Sequence, residues 1–476
     1  MKKFITILLS IYAKNIFALK DPANEIYQQT NAPEESRIIS QNDQIIQQLY
    51  VQNPYLGMPS GSDTHKINEK TMKESGVLEK LLYNGNWNIY LGASYINQNG
   101  ADNYGYGTNL YGQTGQLFGF SVGGLITIMN PFFSNQLHPS DPLYQSQTLP
   151  VSRQVTPQEL FAQYQYRNIF QIDAGWIAIS NSPWMTYYQN NALNLMTYQG
   201  VIINLNPGYG WTLTGFAING AQFPGQNNFS QQTMYNYMPD YATATPNIGN
   251  LTSNGTIAMG ASWNNSNNNL NFRIWGYQFE GYSNLLYADT TLKLPLNKDF
   301  AFTLNLQGAL QGSNSNGNIL NSNDYGDSVN SNMLGIQLEI DYKIVGLQLA
   351  YNNIWGPNNG YYNGNIISPY TYQIATDPLY TTGWMIGMIE KSAGQAYKIA
   401  TPLNLLNNQL TIIPSYQYYS TTAIPASSEY DLQISYNIPK IKGLTVFAGY
   451  GYTIQPGENN SNTDNYQAQL MFNYLY

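Results

Sequence analysis

Apolar and polar residues alternate along most of this chain with a period of two. Leu334, Ile336, Leu338, Ile340 and Tyr342 alternate with Gly335, Gln337, Glu339, Asp341 and Lys343. Tyr430, Leu432, Ile434, Tyr436 and Ile438 alternate with Asp431, Gln433, Ser435 and Asn437. Phe302, Leu304 and Leu306 alternate with Thr303, Asn305 and Gln307. Successive side chains of a strand point to opposite faces, so each run predicts a strand with one apolar and one polar face. The pattern predicts eighteen strands, at 86–96, 103–112, 115–128, 157–167, 171–180, 197–206, 209–219, 253–264, 268–279, 281–294, 298–311, 330–343, 344–355, 395–403, 408–419, 427–438, 442–453 and 463–476. The number is even, as in bacterial single-chain membrane barrels.

Alternation alone suits a soluble sandwich as well as a barrel. The end of the chain separates them. Tyr466, Ala468, Leu470, Phe472, Tyr474 and Tyr476 share one face of the last strand. Asn465, Gln467, Gln469, Met471 and Asn473 share the other. An apolar face with aromatics at both ends suits a strand whose outside meets lipid and whose inside meets a wet lumen. A terminal lipid-side aromatic also resembles the signal read by the bacterial barrel-assembly machinery, an expected partner. Loop lengths point the same way. Short connections, such as 206–208, 297–299 and 439–442, alternate with long ones at 129–156, 181–196, 220–252, 312–329 and 355–394. Outer-membrane barrels sort their loops like this, short in the periplasm and long outside. The expected fold is therefore all-β: a transmembrane antiparallel barrel in a Gram-negative-type outer membrane, with lipid as its surroundings.

Composition agrees. The chain has 476 residues, 43% hydrophobic but only 10% charged, against about 25% charged in a typical soluble domain. It carries 42 Tyr, 17 Phe and 8 Trp, and its mean hydropathy is −0.34. Beyond the N-terminus no apolar run approaches the roughly 20 residues of a membrane helix. Residues 1–18 are expected to be a secretory signal, with Lys2 and Lys3 before the short apolar run 4–12. Residues 19–84 hold 6 basic and 9 acidic residues and are expected to form a periplasmic extension. The barrel, 85–476, holds only 10 basic and 18 acidic residues.

Several functions are opposed. There is no cysteine, which removes disulfides, thiol nucleophiles and thiolate metal sites. The two histidines, His65 and His138, fall in the extension and in an external loop, so no base sits beside a strand-borne nucleophile. No carboxylates have calcium-loop spacing, and the acidic balance opposes nucleic-acid binding. No enzyme activity, metal or cofactor is expected. A surface adhesin or structural barrel with outward Tyr- and Asn-rich loops remains the alternative to a channel.

Six stretches carry a family likeness. They are GFSVGGL at 119–125, LPVSRQVTP at 149–157, AGWIAI at 174–179, the Ser182–Pro183 step, YQGVIINL at 198–205 and LKLPLNKDFAFTLNL at 292–306. In this order, over about residues 85–476, they resemble the OprD-type substrate-specific porins. The resemblance implies an eighteen-stranded pore, monomeric or trimeric, for passive uptake of small polar or organic solutes, carboxylate-bearing ones among them. It implies third and seventh external loops folded inward, here 181–196 and 356–394. In the first of these, Trp184, Met185, Tyr187, Tyr188, Gln189 and Asn190 are the candidate constriction residues. It also implies a ladder of lumen cations, from which this chain departs. By strand parity Arg167, Arg273, Lys293, Lys343 and Lys398 point inward, as do Asp289, Glu339, Asp341 and Asp431. Arg273, Lys293 and Asp289 form either a charged band that focuses the pore field or an ion-pair network that ties the wall together.

Overall fold

The computed structural model describes residues 81–82, 85–132, 152–185, 189–190, 194–237, 252–313, 328–371, 377–389, 392–422, 425–456 and 462–475. The expected signal segment and nearly all of the expected extension lie outside the described residues. So do Tyr187, Tyr188 and Tyr476.

Eighteen strands form the barrel. They are β1 (Asn86–Gln98), β2 (Ala101–Gln113), β3 (Phe120–Pro131), β4 (Gln154–Tyr166), β5 (Phe170–Ile177), β6 (Thr197–Gly208), β7 (Trp211–Gln222), β8 (Thr256–Asn264) and β9 (Leu270–Phe279). There follow β10 (Ser283–Asn297), β11 (Phe300–Ser313), β12 (Asn330–Tyr342), β13 (Val345–Trp355), β14 (Gly394–Ala400 continued by Leu403–Leu405), β15 (Leu410–Thr421), β16 (Ser427–Asn437), β17 (Leu444–Pro456) and β18 (Asn462–Leu475). Every neighbouring pair is antiparallel, and β1 pairs with β18 from Tyr90↔Leu475 to Gln98↔Gln467, which closes the barrel. A closed sheet has no free edge, so the wall's backbone groups pair from strand to strand without water. All eighteen predicted strands are present, with ends shifted by a few residues. Pro402 breaks the ladder inside β14, since proline has no N–H to give.

The two ends differ. One end carries tight turns. At Tyr209–Gly210 both residues have positive φ (53° and 81°), the twist that a two-residue hairpin needs. The other end carries the long connections. By the sorting rule for such barrels the tight-turn end is periplasmic.

The outer wall is apolar. Ile336 at the middle of β12 is 37% exposed, as are its flanking neighbours Leu334 and Ile340 at 53% and 36%. Trp87, Phe118, Phe120, Tyr209, Trp211 and Tyr342 ring the tight-turn end and are all exposed, the girdle that marks a membrane interface. Among the described residues no helix is long and apolar enough to cross a membrane; the strands do the crossing.

The core lies inside. Inward Phe161, Phe216, Trp275, Tyr277, Phe279 and Tyr287 are buried against loop residues Trp184, Met196, Tyr370 and Trp384. The remaining inward positions are largely amides and hydroxyls: Asn109, Thr127, Gln158, Gln163, Thr303, Asn305, Gln307, Gln337 and Gln417 are all buried.

Ile336→Arg puts a cation on the lipid face at mid-height. We expect a loss of about 2–4 kcal/mol, whereas Asn271→Arg, on the half-exposed lumen side, costs far less. Urea titration of the refolded protein in detergent, read by heat-modifiable gel migration, measures both.

Candidate functional site

The site is the lumen, and three long loops enter it. Residues 178–185 of the third external connection lie against the inner face of β7 to β10. Ala178, Ile179, Trp184 and Met185 are fully buried. Ser182 Oγ and Tyr277 OH lie 2.9 Å apart, and the Trp184 N–H donates to the same phenol at 3.3 Å. The Trp184 ring meets Tyr287 edge-on at 6.0 Å. Trp184 and Met185, two of the candidate constriction residues, are thus buried inside the barrel. Gln189 and Asn190 form half of a small hairpin with Asn194–Leu195.

The fourth connection also enters, which sequence reasoning missed. Thr233, Met234 and Tyr235 are buried. The Met234 N–H donates to Pro369 O at 2.8 Å, and the Tyr235 phenol accepts from the Ser368 N–H at 2.8 Å. The Tyr235 and Tyr282 rings stack at 6.0 Å. The signal in the sequence is TMYNYM at 233–238, apolar and aromatic inside a connection.

Of the described loop residues, those of the seventh connection, 356–371 and 377–389, go deepest. Its first part packs Ile366, Ile367 and Tyr370 against the aromatic wall of β9. Burial pushes the Tyr370 phenol up to about 12, so it stays neutral at physiological pH. Its second part carries Trp384 down to Phe447, with ring centroids 6.2 Å apart. Phe447 is only three residues from the tight-turn end of β17.

These loops carry backbone groups away from water, and unpaired ones are costly. The wall answers with amides. Gln311 on β11 accepts the Ile367 N–H at 2.8 Å and donates to Ile367 O at 2.7 Å. Gln158 on β4 accepts the Leu195 N–H at 3.2 Å and donates to Leu195 O at 3.4 Å. In the amide orientation that satisfies both ends, Gln307 donates to Pro378 O at 3.0 Å and accepts from the Tyr380 N–H at 3.1 Å. Asn352 accepts from both the N–H and the hydroxyl of Thr381, each at 3.1 Å. A glutamine both donates and accepts, so it treats a loop residue as a neighbouring strand would.

The inward charges named from the sequence that lie on the wall fall into two groups, and Glu159 and Asp173 are further buried carboxylates on β4 and β5. Arg273, Asp289, Lys293, Glu339 and Asp341 come together on β9 to β12. Arg273 holds Asp289 from Nε at 2.9 Å and from Nη2 at 2.5 Å, and Tyr287 OH donates to the same carboxylate at 2.8 Å. It is the ion pair found among the described residues, with the Arg273 side chain 27% exposed. Lys293 is in electrostatic contact with Asp341 and Glu339. The second group, Lys398 and Asp431 with the unforeseen Glu429, lies on β14 and β16 behind the seventh loop.

Two expected lumen cations are elsewhere. Arg167 and Lys343 sit in tight turns, at φ 50° and 52°, one residue past the ends of β4 and β12. Both are exposed, and each lies over the preceding tyrosine ring, at 5.4 and 5.3 Å. Strand parity does not extend into a left-handed turn, so neither belongs to the lumen wall.

A closed antiparallel barrel with an apolar outside and loops folded in from one end defines the outer-membrane porin type. Solved structures place it more closely: the chain has the fold of the OprD- and Occ-type porins. It is similar to the outer membrane protein opdK from Pseudomonas aeruginosa (TM-score 0.65, 13% identity, covering 83% of this chain and 99% of that one). It is similar to OccAB3 from Acinetobacter baumannii (TM-score 0.68, 13% identity, 83% and 100%) and to a BenF-like porin from Pseudomonas fluorescens Pf-5 (TM-score 0.65, 14% identity, 83% and 99%). At this identity the likeness is one of fold. No family model matches the sequence, and neither does any curated protein.

Gln311→Leu removes both bonds to Ile367 and leaves buried backbone groups without that partner, a local cost of about 1–3 kcal/mol. Hydrogen exchange at the Ile367 amide is expected to quicken by an order of magnitude or more, while amides of the β11–β12 ladder keep their protection.

Proposed function

We propose that this protein is a passive diffusion channel for small polar or organic solutes in a Gram-negative-type outer membrane. One observation carries the reading: the described parts of three long external loops fold into the lumen. An adhesin projects its loops outward, whereas a selective pore narrows itself with them. The porin fold supports the same view. Both chain ends face the periplasm in this reading, and the β18 exterior of Tyr466, Leu470, Phe472 and Tyr474 is the segment offered to the assembly machinery.

The finer reading concerns charge. One similar structure is OpdK with vanillate and another is OccK2 with glucuronate, both carboxylates. A carboxylate preference here rests on Arg273 and Lys293. Arg273 is already engaged by Asp289, and Lys293 faces Glu339 and Asp341. That balance favours neutral solutes or those bearing both charges over simple anions, because charges lining a narrow pore set which ions it admits.

Deleting 183–194 is expected to raise single-channel conductance in planar bilayers several-fold over the wild type. An unchanged conductance would mean that this loop does not set the constriction. Arg273→Ala leaves Asp289 without its cation. Under a salt gradient the reversal potential is expected to move toward cation selectivity; a shift toward anions would contradict the proposed field.

A further inference from the structure

Four successive backbone N–H groups of the seventh loop point at the same patch of wall. Gly383 donates to Tyr419 OH at 3.0 Å, Trp384 to Asp431 Oδ2 at 3.3 Å, Met385 to Glu429 Oε1 at 2.5 Å and Ile386 to Glu429 Oε2 at 2.8 Å. The other loop contacts use amides, which serve a donor and an acceptor together. At these two carboxylates only loop donors arrive, and a carboxylate only accepts, while Tyr419 OH beside them also donates to Ile386 O at 2.7 Å. Both are deeply buried, Glu429 at 0% and Asp431 at 5% exposure.

The wall beside them is cut to the loop's shape. Inward positions on β17 next to this patch are Gly449 and Gly451. A Cβ on Gly449 would lie 2.7 Å from the Trp384 ring, and one on Gly451 2.8 Å from Met385 Sδ. A Cβ on Gly383 would run into the Glu429 carboxylate. Lys398 completes the seat by donating to Thr382 O at 2.7 Å. Lys398 interacts electrostatically with Glu429, Asp431 and Asp377, and Glu429 with Asp431.

We propose that Glu429 and Asp431 are positioning residues that latch the tip of the seventh loop, Trp384 to Ile386, into the Gly449–Gly451 notch as a removable plug. The proposal rests on the channel reading and names how that channel is held narrow. The chemistry permits removal. When the tip leaves, the carboxylates meet lumen water and each N–H exchanges one acceptor for another. The tip moves without breaking any ladder of the barrel.

The test uses the full-length protein in detergent and in planar bilayers. Glu429→Gln keeps the shape but turns an NH2 toward a loop N–H, so donor faces donor. Gly383→Ala unseats the tip from the loop side and leaves the wall intact. Both are expected to at least double the mean conductance and to add frequent transitions between levels. The chain has no cysteine, so Met385→Cys with Gly451→Cys gives the only thiols. That pair is expected to oxidise readily in the parent and at least tenfold more slowly with Glu429→Gln. Once formed, the bond returns the Glu429→Gln channel to small, quiet openings, and a reducing agent reverses this. Conductance unchanged in both single variants, or cross-linking at the same rate with and without Glu429→Gln, overturns the latch. Heat-modifiable migration confirms that each variant forms a barrel. If the parent cross-links readily but conducts in no condition, the channel reading falls while the seating of the tip stands.

Discussion

The structure depends on a backbone that goes inside a barrel needing a hydrogen-bond partner for every group it carries. The wall itself meets this rule by closure, since β1 pairs with β18 and leaves no edge. The loops cannot meet it that way. They turn into a space walled from lipid and largely emptied of water, where each unpaired N–H or C=O costs about 1–3 kcal/mol. The wall supplies the partners. Gln158 on β4, Gln307 and Gln311 on β11, and Asn352 on β13 all hold loop main chain. A barrel with shorter inner side chains would expel these loops, and its pore would be wide.

This requirement also accounts for the low charge. An amide gives a loop residue what a neighbouring strand would give, and it does so without the desolvation cost of an ion. At two places an interior charge does what an amide would do badly. At Glu429 and Asp431 the loop presents donors alone. At Asp289 the carboxylate has Arg273 and Tyr287 to hold it. The 10% charged content follows from a protein with lipid outside and its own loops inside, where few positions reward a charge.

The strands were legible because alternation is local. Five or six residues suffice to show it, and all eighteen strands lie where it put them. Inward folding of the third loop was expected from the family resemblance, and Trp184 and Met185 are buried inside the barrel. The partners of the loops were not legible. Gln311 meets Ile367 across 56 positions of sequence, and Met385 meets Glu429 across 44. Such pairs follow from barrel circumference and loop path, which no period records. Glu429 was visible as an inward residue on β16 beside Asp431, but nothing local marked it as the anchor. The reach of parity also had an end. Arg167 and Lys343 stand one step past their strands, where a left-handed turn sends the side chain out over an aromatic ring.

The interior is graded along the barrel axis, and the gradient bears on what a solute meets. From the long-loop end it faces a packed aromatic body, with Tyr198, Phe279, Tyr370 and Tyr235 all buried. From the tight-turn end it faces a polar vestibule that includes the partly exposed Arg273, Lys293 and Asp341. Tight packing on one side and solvated charge on the other place the resistance in the loops. The wall could be repainted with other charges and still leave that resistance in place. Trp384 is the part of the loop body that comes nearest the vestibule, resting against Phe447 with only glycines beside it on β17. The Arg273–Asp289 pair lies on β9 and β10 and the seat of Trp384 on β14 to β17, so the two can be altered separately.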